Sequence, residues 1–532
     1  MENSSSMLNS FAIDFGTSNT AIARWNGATD TAELVRLPQS QSGSQPPLIP
    51  SLVYIEDAAT QKVIVGQAVR DRGLDLASDP RFFANFKRGI GAEIQGFLPV
   101  LDGVKISFEL VGEWFLRELI AELQNAEESI KSLVLTVPVD SFESYRLWLM
   151  DVCQSLAIEQ ISILDEPTAA ALGYGAGSQN LLLVVDFGGG TIDFSLVSLN
   201  FGGSPGYLLK WGQRMLGKSK AQPKNTAKVI AKTGDSLGGA DINNWLVDYF
   251  VATQSIAKSP LTTRLAEKLK IRLSDRTEAK EVYFDDETLE TFALSLNRDR
   301  FEQILQQQDF FERLDNLMEN LLQQARLKGV DSSQIDTLLL VGGSMQIPVV
   351  QQWILDYFDE AIVKNQQPFS AIATGALQVA QTVEVQDFIH HSYGIRYWNY
   401  QTNCHDWHPI IKQGQSYPMP EPKELILGAS SPNQSSIELI LGELSTNTAT
   451  EVFFDGDRLV TRSTQTQHPI VKPLNDSLEG RSIAPLDPPG NPGNNRLKLL
   501  FSINIDRCLC VTVEDLLTQK SLLKNYIVAK LN

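Results

Sequence analysis

The sequence is poor in cysteine, has no excess of basic residues and contains no long apolar run. Four cysteines among 532 residues are too few for a disulfide framework, so we expect reduced thiols. The formal net charge of −18 argues against a nucleic-acid surface as the main partner. No apolar run reaches the roughly 20 residues that span a bilayer, and the opening MENSSSMLNS lacks the features of a signal peptide. We therefore expect a cytoplasmic protein that binds neither nucleic acid nor membrane.

The length of the chain exceeds what one hydrophobic core supports, so we expect several structural units. Residues 11–385 alternate apolar strands with helical segments, which is typical of an α/β domain. Beyond them short alternating strand patterns take over, and these predict a separate all-β domain, a β-sandwich. The expected order is a flexible N-terminus over 1–10, the α/β domain, a short linker over 386–392 and the all-β domain over 393–532.

Two segments of the α/β domain share one design. FAIDFGTSNTAIA begins at Phe11 and LLVVDFGGGTIDFS at Leu182. Each has an apolar strand, then Asp-Phe-Gly, then small residues and a returning strand. We expect two similar lobes, about 11–180 and 181–370, each presenting a glycine-containing turn to a shared cleft, with a return helix that reaches residue 385.

Glycine and small polar residues at strand ends are typical of loops that bind polyphosphates through backbone N–H groups, because larger side chains would block the approach. Three such turns follow apolar strands. Their residues are Gly16, Thr17 and Ser18; Gly188, Gly189, Gly190 and Thr191; and Gly342, Gly343 and Ser344. The alternative, that these are only tight turns, does not explain the aspartates at the ends of two buried strands.

Carboxylates beside a phosphate repel it unless a cation lies between them, and Mg²⁺ needs few carboxylates because it keeps several waters. Asp14 and Asp186 are therefore candidate magnesium anchors. Glu166 and Asp193 are candidates to orient an attacking water. A lysine would neutralise the charge that develops on a transferred phosphoryl group.

Five segments, in order, closely resemble the signatures of the heat-shock 70-kDa chaperones, the DnaK family of the actin-like ATPase superfamily. They are FAIDFGTSNTAIA, ILDEPTAAALGYG, VVDFGGGTIDFSLV, GDSLGGADINNWLV and LLLVGGSMQIPVVQQWILDYF. The resemblance covers about residues 11–385 and continues more loosely over 393–532. It implies a two-lobed, actin-like α/β ATPase domain that binds ATP or ADP with Mg²⁺, followed by a β-sandwich domain like the family's substrate-binding domain.

The resemblance also implies roles for single residues. Lys87 in FANFKRGIG matches the family's catalytic lysine, and Glu166 matches the glutamate of its EPTAAA motif. Asp186 and Asp193 match the aspartates of the second lobe, and Thr191 matches the hydroxyl next to the γ-phosphate. The nucleotide-binding set is completed by Gly238, Gly239, Glu267, Lys270, Ser274 and Gln346.

The sequence departs from the family pattern in five places. Ile271 and Gln346 stand where the family stacks adenine between two arginines, so base preference does not carry over. Ser162 stands where an arginine helps to dock the family's J-domain partner. The leucine-rich interdomain linker is missing, the hairpin glycine is absent around Asp506-Arg507, and no helical lid follows the last strand. We therefore expect an uncovered peptide cleft with weak affinity and fast release.

An insertion relative to the family runs over residues 200–233 and is rich in lysine. Its lysines are Lys218, Lys220, Lys224, Lys228 and Lys232. Within it Gly212–Ser219 satisfies the GxxxxGK[ST] pattern, but KAQPKNT follows where a phosphate loop would open an apolar helix. We predict a solvated basic loop, with a docking patch for an acidic partner as the alternative.

The leading hypothesis is an ATP-dependent chaperone that slowly hydrolyses Mg-ATP and weakly binds unfolded or extended peptide segments. The alternative is a nucleotide-switched adaptor or scaffold that binds one dedicated protein partner with little or no hydrolysis. A J-domain-like co-chaperone is a further candidate partner of either. A third class, a sugar or metabolite kinase of the same superfamily, is disfavoured because no extra base is evident for a substrate hydroxyl.

Overall fold

The computed structural model describes residues 9–531 with internal gaps. The gaps are 30, 39, 42–45, 93, 97, 127–129, 139–142, 155, 157, 159, 175–180, 201–208, 212–225, 285–288, 383–391, 400–403, 413–414, 416–417, 420, 445–447, 456–457, 466–470, 475–481 and 505–507. The chain divides into two compact units. The first comprises described residues of 1–385 and 450–462, and the second those of 386–449 and 463–532.

The helices all lie in the first unit. They are α1 Gln67–Asp71, α2 Phe108–Ala126, α3 Glu143–Gln154, α4 Glu166–Gly173, α5 Gly239–Gln254, α6 Pro260–Asp275, α7 Arg298–Gln307, α8 Phe310–Leu327, α9 Pro348–Leu355 and α10 Ala371–Thr382.

The strands that precede residue 385 are β1 Ser10–Asp14, β2 Asn19–Asn26, β3 Thr31–Leu34, β4 Ile49–Pro50, β5 Leu52–Asp57, β6 Lys62–Val65, β7 Phe82–Ala84, β8 Ile94–Gln95, β9 Val100–Leu101, β10 Val104–Lys105, β11 Ser132–Val137, β12 Gln160–Asp165, β13 Leu181–Phe187, β14 Ile192–Asn200, β15 Leu209–Trp211, β16 Thr226–Asp235, β17 Glu278–Phe284, β18 Thr291–Asn297, β19 Thr337–Val341 and β20 Val363–Lys364.

The later strands are β21 Ser392–Asn399, β22 Cys404–Ile411, β23 Lys423–Gly428, β24 Gln434–Glu438, β25 Leu441–Leu444, β26 Thr448–Asp455, β27 Arg458–Gln465, β28 Val471–Pro473, β29 Ser482–Gly490, β30 Asn495–Ile503, β31 Cys508–Asp515 and β32 Lys520–Lys530.

Two central sheets of the first unit repeat one topology. In the first, β1 pairs antiparallel with β2 and parallel with β11, which pairs parallel with β12. In the second, β13 pairs antiparallel with β14 and parallel with β19, which pairs parallel with β20. We call residues 10–174, around the first sheet, lobe I, and residues 181–364, around the second, lobe II. The prediction of two similar α/β lobes is confirmed, and β1 begins at Ser10, inside the segment expected to be flexible.

Helices α4 and α10 cross closely beneath the two sheets. Their contact is made of small side chains, including Ala169, Ala373 and Ala376, which are fully buried. Gly375 has no room for a side chain, because a Cβ there would collide with the carbonyl oxygen of Ala169. The alanine and glycine run EPTAAALG therefore serves a close helix–helix approach, since small residues let two backbones come together.

The lysine-rich insertion is only in part the loop that we predicted. Residues Thr226–Asp235 form β16, which pairs antiparallel with β14, so Lys228 and Lys232 lie on a strand. Leu209–Trp211 forms β15, which pairs with β12 at the edge of the lobe I sheet. The chain thus leaves the lobe II sheet, adds a strand to the lobe I sheet and returns. The segment Gly212–Ser219 and the three other lysines lie outside the described residues.

Strand β15 is the neighbour of Ser162, one of the positions at which the sequence departs from the family pattern. This residue is buried in β12, and its backbone is paired with that of Lys210 in β15. Ser162 is therefore an interior residue next to the edge strand β15.

The described part of the second unit contains strands and no helix. One sheet has the order β22-β21-β25-β28, another β23-β30-β31-β32, and β24 pairs with β29. The buried face of β30 carries Leu497, Leu499, Phe501 and Ile503, as the alternation predicted. The predicted turn at Asp506-Arg507 and the predicted linker 386–392 up to residue 391 lie outside the described residues. Residues 450–462 group with the first unit, in which β26 pairs in parallel with β8.

Candidate functional site

A cleft of about 670 Å³ lies between the two lobes of the first unit. It is lined by the ends of β1 and β13, by the hairpin turns that follow them, by the first residues of α4 and α5, and by one face of α6. Every predicted site residue lines this cleft except Gly238 and Asp193. The folded chain therefore brings together at one cleft residues that are more than three hundred positions apart in the sequence.

The backbone carbonyls of both hairpin turns are engaged by neighbouring elements. Ser51 donates its Oγ to the carbonyl of Gly16 at 2.7 Å and its N–H to the carbonyl of Ser18 at 2.9 Å. In lobe II the carbonyls of Gly188 and Gly189 accept the N–H groups of the first two residues of α5, at 3.0 and 2.8 Å. These bonds hold each turn in place, and in lobe II the N–H of Gly188 is also used, by the carbonyl of Thr191 at 3.0 Å.

The row of three glycines is explained by the opposite turn. A Cβ on Gly190 would lie 2.5 Å from Oγ1 of Thr17, and a Cβ on Gly189 would collide with Ser18. Gly238 supports the same turn from behind, because a Cβ there would strike the backbone of Gly189. The two turns face each other across the cleft, so any larger residue would close it.

The two aspartates at the strand ends are buried together. Burial, reinforced by the nearby charge of Glu166, raises the pKa of Asp14 to about 7, although Lys87 and a hydrogen bond from Thr136 oppose the shift. Burial also raises the pKa of Asp186, to which Glu166 and Asp14 add. Such a pair is held ionised most readily by a cation.

Magnesium fits these two carboxylates. Within the described ranges no group of three or more His, Cys, Asp or Glu side chains is placed to hold a metal. Mg²⁺ does not require such a group, because it retains waters and is bound through one or two carboxylates together with substrate phosphates. Asp14 and Asp186 would hold the ion, which would supply charge neutralisation of the phosphate oxygens.

Lys87 and Glu166 form a buried ion pair beside the aspartates. Lys87 lies in the 3₁₀ turn Phe86–Gly89, and its Nζ is 3.3 Å from Oε1 of Glu166, the first residue of α4. The two side chains are only 11% and 10% exposed. Burial opposes the charge of Lys87, but Glu166, with Tyr145 and Asp14, outweighs it and raises the pKa of the ammonium. The lysine is therefore a permanent buried cation at the cleft.

Asp193 lies behind the cleft wall. It is directly opposite Asp186 in the β13–β14 pair, and it lines a separate cavity of about 10 Å³ with Glu166, Asp186 and Ser195. A cavity of this size holds about one water molecule. Asp193 thus reaches the aspartate pair through this small space, whereas Thr191 lines the main cleft.

The far end of the cleft is formed by α6. Glu267, Lys270, Ile271 and Ser274 have the i, i+3, i+4, i+7 spacing of one helix face. Lys270 donates to the carbonyl of Gly239 at 2.7 Å, and burial lowers its pKa to about 8 although Glu267 and Asp241 oppose the shift. Glu267 itself forms an ion pair with Arg70 of lobe I at 2.8 Å.

The two positions that replace arginines also meet at this end. Ile271 is 57% exposed, and Gln346 follows the glycine turn after β19. As far as the structure describes the chain, Nε2 of Gln346 is buried without a hydrogen-bond partner. Both residues line the cleft.

Arg88 is a site residue that we did not predict. Its guanidinium, 2% exposed, contacts the carboxylate of Asp241 at 2.6 Å and donates to the carbonyls of Gly190 and Ser236 at 2.8 and 3.0 Å. With Arg70–Glu267 and Arg88–Asp241, Arg264 and Asp75 form a third ion pair between the lobes, at 3.0 Å. The only sequence signal for Arg88 is its position next to Lys87, because its acidic partner is 153 residues away.

Known proteins resemble this chain over the same region. A family profile described as Hsp70 protein matches residues 101–204 and 224–403, together more than half of the chain. The gap between the two matched segments falls inside the insertion predicted at 200–233.

Curated relatives agree with the family match. The chain is 27% identical over 384 residues to a chaperone protein DnaK of Elusimicrobium minutum (strain Pei191), which covers 68% of this chain and 56% of the relative. It is 28% identical to a dnaK of Cyanidioschyzon merolae, over 68% of this chain and 60% of the relative. It is also 28% identical to a chaperone protein HscA homolog of Pasteurella multocida, over 68% and 56%. The chain therefore spans 56% to 60% of the length of these relatives.

Proposed function

The chain belongs to the Hsp70 family, and we propose that it binds Mg-ATP in the interlobe cleft and hydrolyses it slowly. One observation carries the proposal: the cleft combines two carbonyl-occupied glycine turns, a buried aspartate pair and a buried lysine. Glycine turns bind phosphates, carboxylates hold Mg²⁺, and a lysine offsets negative charge, so the three together suit a magnesium-bound triphosphate.

We assign the chemical roles as follows. The turns at Gly16–Ser18 and Gly188–Thr191 hold the phosphates, and the hydroxyl of Thr191 lies next to the terminal one. The ammonium of Lys87 stabilises charge that develops on the terminal phosphoryl oxygens. Glu166 and Asp193 orient the attacking water, and both line the small cavity of about 10 Å³ beside Asp186. Phosphate leaves with the oxygen of that water, and the nucleoside diphosphate remains in the cleft.

Phosphate release from purified full-length protein tests this assignment. We expect slow release by the wild type, and a loss of about 10²-fold for Lys87→Ala, the usual size for removal of a group that stabilises transition-state charge. Asp193→Asn should also be slower. Lys62→Ala is the matched control, because this lysine is 70% exposed and pairs only with Glu56 in the described contacts. Equal rates in all four proteins would remove the catalytic roles.

For the second unit we propose binding of unfolded or extended peptide segments. The β21–β22 pair exposes two large aromatic side chains, Tyr397 at 39% and Trp398 at 38%. Exposed aromatic residues are the side chains that contribute most often to protein and peptide binding. These two residues follow each other in β21, so their side chains lie on opposite faces of the β21–β22 pair. The alternative proposal is a nucleotide-switched adaptor that uses the second unit for one dedicated partner.

Binding of a fluorescent unfolded peptide, measured by anisotropy, tests the peptide proposal. Trp398→Ala should weaken binding about 10-fold or more, the usual effect of losing an interface tryptophan. Lys423→Ala, at an exposed and non-aromatic position of β23 in the same unit, is the control. Pull-down from lysate separates the two proposals, since many unfolded proteins indicate a chaperone and one stable partner indicates an adaptor.

A further inference from the structure

The buried ammonium of Lys87 lies between two aromatic rings. Its Nζ is 5.6 Å from the ring centroid of Phe15 and 5.9 Å from that of Tyr145. Phe15 follows the strand-end aspartate of lobe I, and Tyr145 lies in the first turn of α3. Both residues are buried, at 1% and 4% exposure. No nucleotide-binding role has been assigned above to α3.

The two rings are held in place by other aromatic side chains. Tyr145 packs on Trp148 with ring centroids 5.4 Å apart, and Phe15 stacks on Phe115 at 5.6 Å. Trp148 is fixed in turn by a hydrogen bond of 2.9 Å from its indole N–H to the carbonyl of Glu109. The rings near Lys87 therefore belong to the rigid core of lobe I.

A buried ammonium is attracted to the faces of aromatic rings because they are electron-rich and because little water competes for it. Here Glu166 contacts the ammonium directly at 3.3 Å, and both ring centroids lie within 6 Å of it. The carboxylate compensates the charge, while the rings limit where the long, flexible lysine chain can place its Nζ. The direction in which Nζ donates is important, since the terminal phosphoryl group would lie in the cleft.

We propose that Tyr145 is a positioning residue that, together with Phe15, holds the ammonium of Lys87 toward the cleft. The inference rests on the proposed role of Lys87 in hydrolysis. Tyr145 is the residue to test, because Phe15 is also central to the core and contacts Phe86 and Phe115. The part of Tyr145 that acts is its ring, so phenylalanine should replace it and an aliphatic residue should not.

The first measurement is steady-state hydrolysis by full-length protein. Tyr145→Leu should lower kcat about 2- to 30-fold, the range expected for loss of one cation–π contact, with KM unchanged. Tyr145→Phe should stay within about 2-fold of the wild type, because it keeps the ring. Leu149→Val is the control for altered packing on α3, because Leu149 is 1% exposed and takes no part in the ring contacts described above, and it should leave kcat unchanged.

The second measurement does not depend on hydrolysis. Acylation of Lys87 by acetic anhydride, followed by mass spectrometry, reports how well the amine is confined. Tyr145→Leu should speed acylation at Lys87 several-fold, whereas Tyr145→Phe and Leu149→Val should not. If the wild type releases no phosphate, the proposed function fails, and acylation alone then decides the inference.

Two results would overturn the inference. One is Tyr145→Leu with wild-type acylation at Lys87. The other is Tyr145→Phe with the same losses as Tyr145→Leu, since the hydroxyl and not the ring would then be responsible. Should Tyr145→Leu not fold, Tyr145→Met fills a similar space without a ring and is judged by the same two measurements.

Discussion

Replacing Arg88 by methionine should destabilise the first unit more than any surface charge change. Methionine keeps the length of the side chain but removes a guanidinium that is 2% exposed. Asp241 then loses its ion-pair partner while it remains 85% buried, and the carbonyls of Gly190 and Ser236 lose a donor. Removing one member of a buried pair costs about 3–5 kcal/mol, because the remaining charge is uncompensated.

The size of this loss can be checked by urea denaturation followed by circular dichroism. Arg88→Met should lower the free energy of unfolding by about 3–5 kcal/mol. Arg24→Ala is the control, because its pair with Glu33 is 45% and 39% exposed, and such pairs contribute less than about 1 kcal/mol. A loss from Arg88→Met no larger than that of the control would refute the reasoning.

A double-mutant cycle separates the pair from the arginine's other contacts. Asp241→Asn keeps an oxygen that can accept the N–H of Gly238, the helix-cap contact measured at 2.8 Å, but it removes the charge. The double variant Arg88→Met with Asp241→Asn should be less destabilised than the sum of the single variants, by about 1–3 kcal/mol. Strict additivity would show that the two groups do not interact in solution. Because Arg88 joins the lobes, nucleotide affinity should fall along with stability.

Four further predictions rest on other contacts. Nucleotide affinity should fall as pH rises through 8, because Lys270, whose pKa is lowered to about 8, then loses its positive charge; calorimetric titration of Lys270→Met should show no such step. The same shift should make the free energy of unfolding rise between about pH 8 and 10.5 in the wild type, since the unfolded lysine keeps its proton to higher pH. Asp515→Ala should destabilise the second unit by about 3 kcal/mol, because Arg496, 2.9 Å away and 7% exposed, is left unpaired; denaturation followed by a probe in that unit measures it, and a loss under about 1 kcal/mol would contradict it. Gly375→Val should cost about 3 kcal/mol or more in thermal unfolding, since its side chain would force α10 away from α4, and unchanged stability would be inconsistent with the close crossing.

Much of the cleft was predictable because its parts are local. An apolar strand that ends in aspartate and continues into glycine is visible in FAIDFGTS and in VVDFGGGT, and both segments form the predicted hairpins. The helical spacing of Glu267 and Lys270 is enough to predict which face of α6 lines the cleft. The relative positions of these parts, and hence Asp193 behind the wall instead of in the cleft, were not predictable in the same way.

The lysine-rich insertion shows most clearly what the sequence could not predict. Its composition predicted a solvated basic loop, yet Leu209–Trp211 pairs with the edge of the lobe I sheet. Three residues have too little pattern to reveal a strand. They pair with the edge strand β12, which comes near them only after both lobes have folded. The strand pattern around Ser162 does not indicate which segment will pair with β12.

The amino-acid sequence by itself determined the two-lobed α/β plan, the strands that the structure describes in the C-terminal unit, and the glycine turns that we propose to bind phosphate. The spacing of apolar residues and the presence of glycine in turns are patterns of a few neighbouring residues, so they can be recognised without knowing the fold. Only the tertiary structure decided which charges neutralise one another: Lys87 with Glu166, Arg88 with Asp241, and Arg70 with Glu267. Electrostatic energy depends on distance and burial, and residues far apart in the chain acquire both only when the lobes pack together.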